Sequence, residues 1–379
     1  MAPAPFVLVA GGYGFFGARI ATWLASDANS RILVGGRDAA RCEDAARQLR
    51  AQAARGAAVH AYPIDVLAPD AAERLRASGA GLLIHTAGPF QGQDYRVPRA
   101  CIDAGVDCID LADAREYVTG IGSLDAAARG AGVAIVSGAS TVPAISCAMA
   151  DDLALGMARV EGIEIGISVG NRTQRGLATV EAVLGYCGRA IAVKRDGKTR
   201  IVHGWQDPRR HRYPAPVGMR WMSACDVPDL ELLPARFPSA RDVAFRAGLE
   251  LPLLQASLWA LAWLVRAGMV RDVTRHALVL SRGADALRGF GSDAGAMHVT
   301  LSGACLEGRH VARTWTLIAR DGKGPQVPCT PSVILARRWR SGKRPAPGAT
   351  PCVGMIARSE VEAAWSALPF TIHCATLDA

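Results

Sequence analysis

The sequence predicts an α/β protein: an N-terminal Rossmann domain with a doubly wound parallel sheet, followed by an α+β substrate domain with an antiparallel sheet. Three observations support this. Short apolar segments alternate with helix-like segments up to about residue 140, a glycine-rich loop follows the first of them, and the later strands are longer and joined by Asp-Gly-type turns. With 379 residues, 50% of them hydrophobic, the chain is long enough for two domains.

The first half of the chain alternates apolar strands with helices, two of which are predicted at Phe15–Ala25 and Ala39–Ala53. Strands that are apolar along their whole length are typical of a parallel sheet covered by helices on both faces. We therefore place the Rossmann domain at residues 1–145. Its predicted strands are Phe6–Ala10, Arg31–Gly35, Val59–Ile64, Gly81–Thr86, Val106–Leu111 and Val133–Val136.

The pattern changes after Pro143. Hairpin turns of the Asp-Gly type predict antiparallel pairing in a substrate and dimerisation domain at residues 146–328. The final segment, residues 329–379, is expected to pack back on the Rossmann domain. The predicted elements are strands at Ile163–Val169, Ile191–Val202 and His298–Leu317, helices at Thr179–Ile191 and Leu251–Gly268, a helix from Thr330, a linker at Pro345–Pro351 and a last helix near Glu360–Leu368.

Composition and charge exclude several classes of protein. The formal net charge is +9, and only four of the 43 basic residues are lysines; arginine suits an anionic ligand, although biased amino-acid usage explains it equally. The arginine clusters lack the interleaved aromatic residues of nucleic-acid binders. No apolar run is long enough to span a membrane, and the N-terminus does not resemble a signal peptide, so a cytoplasmic protein is expected. The ten cysteines include no C-x-x-C pair, which predicts reduced thiols and no metal site.

A glycine-rich loop follows the first strand. Gly12, Gly14 and Gly17 fit the pattern G-x-G-x-x-G, with Tyr13, Phe15 and Phe16 between them. Glycine is needed there for the tight turn, for close approach of the backbone to a diphosphate and for packing of helix on strand. The loop opens a helix, whose N-terminus favours an anion. We therefore predict that this loop binds a dinucleotide.

The end of the second strand indicates which dinucleotide. NAD-binding folds commonly carry Asp or Glu at this position, but here Gly36 is followed by Arg37, with Arg41 one helical turn later. An arginine accommodates a 2′-phosphate, which favours NADP(H), while NAD stays possible because Asp38 could reach a ribose hydroxyl. Asp65, after the third strand, is placed near the adenine, although a role in capping a loop explains it as well.

The segment after the fourth strand completes the predicted coenzyme site. Thr86, Ala87, Gly88 and Pro89 follow the carboxyl end of that strand, where ligands of open parallel sheets bind. They are therefore predicted to lie under the diphosphate and the nicotinamide. His85, the preceding residue, is interpreted as a packed strand histidine in preference to a proton donor.

Candidate catalytic residues follow the fifth strand. Asp110, Asp113 and Tyr117 would lie near the same crevice and could hold a substrate or relay a proton. For Asp113 the alternative is a capping box with Glu116, since the two are three residues apart. In the second domain, a carboxylate could be clamped by Asn171, Arg172, Thr173 and Arg175, and an exposed polar turn explains them as well.

The apolar segment at residues 251–265 carries Trp259 and Trp263 at helical spacing. We interpret it as a buried or dimer-interface helix. The alternatives are a helix that lines an apolar pocket and one that dips into a membrane surface.

Several stretches resemble one family, the saccharopine dehydrogenase-like oxidoreductases, in its bacterial branch. They are GGYGFFG, VGGR, HTAGPFQGQDYRVPRACIDAGVDCIDLADAREYV, SGASTVPAISCAMADDL, CDVPDLELLP and FRAGLE. The resemblance implies an NADP-preferring Rossmann domain, an inserted domain that carries the substrate pocket, a C-terminal segment that returns to the first domain, and a homodimer. The chain departs from the family pattern at Pro143-Ala144, where Pro-Gly is usual, and it has no lysine before Lys194 to match a catalytic Lys-His pair. The resemblance therefore implies a reaction type and not saccharopine as the substrate.

These features predict an NADP(H)-dependent oxidoreductase that transfers hydride to a C=N, C=O or activated C=C bond of a small or lipid-like metabolite. One alternative is a trans-acting enoyl reductase on a polyketide or fatty-acyl chain. Another is a sensor or scaffold that binds NADP(H) without turnover. The chain has no G-x-S-x-G, H-E-x-x-H or P-loop motif, which argues against hydrolases, metalloproteases and kinases.

Overall fold

A computed structural model describes residues 5–271 and 273–378. The chain forms two compact units. The first comprises the residues up to Ile145 together with Gln326–Ile356, and the second comprises Ser146–Pro325 together with the residues from Ala357 onward. Each unit is therefore built from two separate stretches of the chain.

The first unit begins with an alternation of strands and helices. Its elements up to residue 137 are β1 (Phe6–Ala10), α1 (Gly17–Ala25), β2 (Arg31–Gly36), α2 (Ala39–Gln52), β3 (Ala58–Pro63), α3 (Ala71–Ala77), β4 (Ala80–His85), α4 (Arg96–Ala104), β5 (Asp107–Asp110), α5 (Arg115–Thr119), α6 (Asp125–Gly130) and β6 (Ala134–Ser137). Local signals set several of the ends: the Asp38 carboxylate caps α2 by accepting from the Arg41 N–H at 3.0 Å, and α4 ends at Gly105, with φ 72°.

The second unit follows with longer strands. Its elements up to residue 319 are α7 (Ser146–Leu153), β7 (Met157–Val169), α8 (Leu177–Gly185), β8 (Ala190–Arg195), β9 (Lys198–His203), β10 (Arg209–Arg212), β11 (Met219–Ala224), α9 (Asp229–Arg236), β12 (Asp242–Leu249), α10 (Pro252–Arg266), α11 (Ala277–Ala286), β13 (Gly295–Cys305) and β14 (His310–Ala319). No helix in the part of the chain that the structure describes is long and apolar enough to cross a membrane.

The end of the chain contributes to both units. It contains α12 (Thr330–Arg340), β15 (Gly348–Pro351), α13 (Arg358–Ala364) and β16 (Phe370–Asp378). The first two belong to the first unit and the last two to the second.

The first unit contains the predicted parallel sheet. Its seven strands lie in the order β15-β6-β5-β4-β1-β2-β3, and all neighbours are parallel. Leu8 on β1 lies beside Leu33 on β2 and Leu83 on β4, and all three side chains are buried. The order reverses beside β1, which makes the carboxyl ends of β1 and β4 the switch point where such sheets bind ligands.

The second unit contains a nine-stranded sheet that is mixed, where the sequence predicted an antiparallel one. The main path is β10-β11-β12-β7-β13-β14-β16, with the hairpin β8-β9 attached to β12. The exception to antiparallel pairing is β12, which runs parallel to β7 from Asp242 beside Gly162 to Leu249 beside Val169. More than seventy residues separate the two strands, which is ample for the crossover that parallel pairing needs.

The C-terminal segment differs from the prediction that residues 329–379 pack on the Rossmann domain. Its first part does so: α12 lies in the first unit, and β15, within the predicted linker, forms the edge strand beside β6. Its second part does not, because β16 pairs with the exposed edge of β14 along nine residues. Pairing satisfies main-chain groups that β14 would otherwise leave open, which explains why these residues join the second unit.

Candidate coenzyme site and active site

The glycine loop folds tightly between β1 and α1. A side chain at Gly17 would overlap the Gly11 carbonyl oxygen and come within 2.7 Å of the Thr86 hydroxyl. At Gly14 a Cβ atom would lie 2.9 Å from the same carbonyl oxygen. At Gly12 it would lie 2.9 Å from Val34. The three predicted glycines therefore stand where main chain meets main chain or a strand, which is the reason that the motif needs them.

This packing leaves amide groups open at the start of α1. The Gly14 N–H donates to the Gly11 carbonyl at 2.7 Å and so closes the turn. The N–H groups of Phe15, Phe16 and Gly17 make no hydrogen bond within residues 5–271 and 273–378. Three free donors at a helix N-terminus form a site for an anion such as a diphosphate.

Tyr13 connects the glycine loop to the end of β2. Its ring lies against Gly36, where any side chain would collide with it. The Arg41 guanidinium lies over the Tyr13 ring at 4.3 Å, and the Asp38 N–H donates to the Tyr13 hydroxyl at 3.3 Å. The sequence predicted that Tyr13 and Gly36 both belong to the coenzyme site, but it could not predict the contact between them.

Arg37, like Arg41, is an exposed cation at this end of the sheet. Its side chain makes no hydrogen bond or ion pair within the described residues. The two nearby acids are engaged otherwise: Asp38 caps α2, and the Asp65 carboxylate accepts from the Leu67 N–H at 3.0 Å within its own turn. A free guanidinium beside engaged carboxylates suits a phosphate better than a ribose hydroxyl.

The segment after β4 is tied to the glycine loop. The Thr86 hydroxyl donates to the Ala10 carbonyl at 2.8 Å. The Gln93 side-chain amide donates to the carbonyls of Ala87 at 3.0 Å and Pro89 at 2.6 Å, which holds the turn through Gly88. The segment therefore has a fixed shape beside the predicted diphosphate site.

Asp110 lies at the end of β5 and is fully buried. One carboxylate oxygen accepts three hydrogen bonds, from Ala112 N–H at 3.0 Å, Gly138 N–H at 2.8 Å and the Ser137 hydroxyl at 3.0 Å. The other oxygen has no partner among the described residues. Burial raises the pKa of Asp110 to about 6, against the opposing effect of these hydrogen bonds. Asp110 thus joins the ends of β5 and β6 and is sheltered from solvent.

Tyr117 and His85 are buried beside Asp110. The Tyr117 ring packs against Phe90 and Tyr95, and its hydroxyl has no hydrogen-bond partner in the described chain. Burial, and secondarily the Asp110 carboxylate, raise the pKa of Tyr117 well above its usual value. Burial lowers the pKa of His85 to about 4, so His85 is neutral, in agreement with its interpretation as a packed histidine.

Asp113 is the partly exposed member of the three predicted catalytic residues. Its carboxylate accepts a hydrogen bond from the Gln91 side chain at 3.2 Å. Burial raises the pKa of Asp113, with Gln91 acting in the opposite direction. The alternative capping box is not formed, because α5 begins after Ala114 and has no side-chain cap.

A second polar cluster lies in the second unit, and no sequence motif predicted it. Its members are Glu164 on β7, His211 on β10, Tyr213, and His298 on β13. A ring nitrogen of each histidine and a carboxylate oxygen of Glu164 all lie within 4.8 Å of one another. The Tyr213 hydroxyl is 2.9 Å from His298 Nδ1. Burial lowers the pKa of His298 well below its usual value. Residues this far apart in the sequence come together only when their strands pair in the sheet, and no local sequence motif predicts that pairing.

The geometry of this cluster does not suit a metal ion. The His211 and His298 rings are parallel, 1° apart in orientation and 3.7 Å between centroids. An imidazole binds a metal in its own plane, so two stacked rings direct their lone pairs side by side and not toward one ion. Within this cluster, His298 is neutral and hydrogen-bonded to the Tyr213 hydroxyl.

The polar residues after β7 brace a loop instead of forming a carboxylate clamp. The Asn171 side-chain amide donates to the carbonyls of Leu287 at 2.7 Å and Phe290 at 2.8 Å, and Arg175 donates to the Asn171 side chain at 3.1 Å. These bonds occupy the Asn171 amide and one terminal nitrogen of the Arg175 guanidinium.

The glycine loop, the free amides and the arginine at the end of β2 define the first unit as a dinucleotide-binding Rossmann domain. Residues 7–136 match a family model described as the saccharopine dehydrogenase NADP binding domain. This N-terminal domain is therefore similar to the NADP-binding domain of saccharopine dehydrogenases, in agreement with the resemblance of its sequence motifs.

The fold is similar to that of a solved structure. Saccharopine dehydrogenase (L-Glu forming) from Saccharomyces cerevisiae is similar over 98% of this chain and 100% of that chain, with a TM-score of 0.70 and 13% sequence identity. An amine dehydrogenase from Mycobacterium smegmatis matches over 92% of this chain and 94% of that chain, with a TM-score of 0.49 and 13% identity. No curated protein matches the chain in sequence. The yeast enzyme thus shows the fold of the whole chain.

Gly17→Ala should distort the glycine loop. Its methyl group would displace the Gly11 carbonyl and with it the free amides, so we expect NADPH affinity to fall about tenfold or more. Gly130→Ala is the matched control, because a Cβ there meets no atom within 4 Å. Calorimetric titration with NADPH measures both variants, and equal affinities would contradict the assignment of the loop.

Arg37→Gln should weaken NADPH binding and leave NADH binding nearly unchanged. A charge-assisted hydrogen bond to the 2′-phosphate contributes roughly 1.5–3 kcal/mol, so a loss of about ten- to a hundredfold is expected for NADPH. Arg55→Gln, another exposed arginine of the same unit, is the control. Titration with both coenzymes tests this, and equal losses for the two would remove the role given to Arg37.

Asp110→Asn should flatten the pH dependence of stability. Because the folded-state pKa of Asp110 is raised, this group destabilises the wild type progressively as the pH rises from about 4 through 6. The asparagine keeps the accepting oxygen and carries no charge, so the variant should gain up to roughly 3 kcal/mol relative to wild type between pH 4 and pH 7. Urea unfolding at both pH values measures this. A difference between the two proteins that does not change with pH would show that Asp110 is already ionised when buried.

Proposed function

We propose that the protein is an NADP(H)-dependent oxidoreductase that transfers hydride to a C=N, C=O or activated C=C bond of a small or lipid-like metabolite. The observation that carries this proposal is the set of three free amides at the start of α1, close to an unpaired arginine at the end of β2. Together they match the diphosphate and the 2′-phosphate of the coenzyme named by the family of this domain.

Different residues around the glycine loop would bind different parts of the coenzyme. The amides of Phe15, Phe16 and Gly17 would bind the diphosphate, and Arg37 with Arg41 would bind the 2′-phosphate. Thr86, Ala87, Gly88 and Pro89 would support the nicotinamide end, because they follow β4 at the switch point. The coenzyme, when bound, supplies the hydride, so the protein has to orient it, exclude water and provide a proton.

Among the predicted catalytic residues, Asp113 is the best candidate to exchange a proton with the substrate. It is partly exposed, and burial raises its pKa, so it holds a proton closer to neutral pH than an ordinary aspartate. Asp110 and Tyr117 are buried, and we propose that they act as positioning residues for the segment that carries Asp113.

A sensor or scaffold that binds NADP(H) without turnover is the second candidate. The observation that favours it is the burial of Asp110 and Tyr117, which leaves one of the three predicted proton donors within reach of solvent. The enoyl reductase alternative would be favoured by an apolar pocket around Trp259 and Trp263. Both indoles are instead more than 40% exposed.

The assembly and location of the protein are further parts of this proposal. We expect a homodimer, as the family resemblance implies, and a cytoplasmic location. Nine free cysteines are buried and Cys374 is exposed, with no disulfide within residues 5–271 and 273–378, which suits a reducing compartment.

The proposed activity predicts NADPH oxidation with at least one compound from a panel of imines, ketones and enoyl thioesters. Asp113→Asn should then lower kcat by about a hundredfold and leave the Kd for NADPH within about twofold, because proton transfer and coenzyme binding use different groups. Asp103→Asn, an exposed aspartate of the same unit, is the control. Nicotinamide absorbance follows the reaction.

Two results would contradict this assignment. Tight NADPH binding without turnover across the whole panel would favour the sensor. Full activity of the Asp113→Asn variant would remove Asp113 as the proton donor and leave the oxidoreductase proposal standing.

A further inference from the structure

The second unit exposes a set of large apolar side chains on the neighbouring helices α10 and α11, which pack on one common cluster, and in the segments that follow them. We call this set the helical surface. Each member is at least 40% exposed, where a large apolar side chain is ordinarily buried. The members are Leu253, Trp259, Trp263, Leu264, Met269, Leu278, Val279, Leu280 and Phe290.

These side chains are additional to the core that already holds the two helices in place. The inner side of α10 buries Gln255 and Ala262, and α11 buries Ala277 in a cluster with Leu184 and Val273. The outer side of α10 is nevertheless as apolar as the inner one. A helix that is apolar on all sides requires a partner on its outer face, and a patch this large marks an interaction site.

Arginines surround the apolar side chains. Residues 252–290 contain five arginines and two aspartates, and no lysine or glutamate. Arg266, Arg271 and Arg282 are exposed, and the Arg266 guanidinium lies over the Trp263 ring at 5.0 Å. Indole rings beside arginines are typical of side chains that lie in the headgroup layer of a membrane.

The charge distinguishes between two occupants of this face. A second copy of the chain would bring the same arginines toward one another, with too few aspartates to neutralise them. An anionic lipid surface offers both an apolar layer for the side chains and negative charge for the arginines.

We propose that the helical surface binds the protein to anionic lipid membranes, with α10 and α11 lying in the plane of the headgroups. The 15 residues of α10 are too few to span a bilayer, so the contact is peripheral. This inference does not depend on the proposed redox activity, since it uses none of the residues of the first unit.

Sedimentation with vesicles tests the proposal. The full chain is mixed with vesicles of phosphatidylcholine alone and with vesicles that contain about 30 mol% phosphatidylserine. We expect the protein to sediment with the anionic vesicles at least about tenfold more tightly, to be released by about 1 M salt and to show a blue shift of tryptophan emission on binding.

Two triple variants make the test specific. Leu253→Glu, Met269→Glu and Val279→Glu together change three of the four most exposed members of the helical surface, and vesicle affinity should fall about tenfold or more. Leu155→Glu, Leu306→Glu and Leu377→Glu together are the matched control, because these leucines are equally exposed in the same unit and lie outside the helical surface. The control should bind within about twofold of wild type.

Thermal unfolding checks that both variants are folded. Three outcomes overturn the proposal: no sedimentation of the wild type with anionic vesicles, equal loss of binding in both triple variants, or unchanged binding in the first. Light scattering identifies the rival occupant: a wild-type dimer that the first variant alone converts to monomer, without vesicle binding, assigns the surface to a second copy of the chain.

Discussion

The contact of Gly17 with the Gly11 carbonyl and with Thr86 is the constraint on which the rest of the site depends. Because no side chain intervenes, α1 starts close to the end of β1, and its first amides stay without partners. The loop after β4 is fixed to the same point through the Thr86 hydroxyl. A methyl group at this position would separate the three segments that a dinucleotide has to contact together.

The first unit was largely predictable from the sequence, because its signals are local. Each strand from β1 to β6 lies within two residues of its predicted bounds, and the glycines follow the first strand as the motif requires. The preference for NADP(H) could be predicted for the same reason, since Arg37 directly follows the second strand. Two features of the site could not be predicted from the spacing of residues in the sequence: the contact of the Tyr13 ring with Gly36 and the full burial of Asp110. Both depend on which strands become neighbours in the sheet.

The second unit was less predictable because its structure rests on distant pairings. The parallel pair β7-β12, the strand β16 and the cluster around His298 all join residues more than forty positions apart. Hairpins with Asp-Gly-type turns were found, since the turn and both strands lie within one short window. Helix α10 lies within its predicted range of Leu251–Gly268, yet its pattern could not tell a buried face from an exposed one.

The chain returns to the first unit at Gln326–Ile356, and this has a consequence for folding during translation. Strand β6 stays an open edge until β15 has been synthesised, more than two hundred residues later, and Asp27 meets its partners Arg337 and Arg340 only then. A nascent chain emerging from the ribosome must therefore keep an incomplete nucleotide-binding unit from aggregating while Ser146–Pro325 of the second unit is translated. The two units are therefore completed at nearly the same time, and neither is encoded by one uninterrupted stretch of the gene.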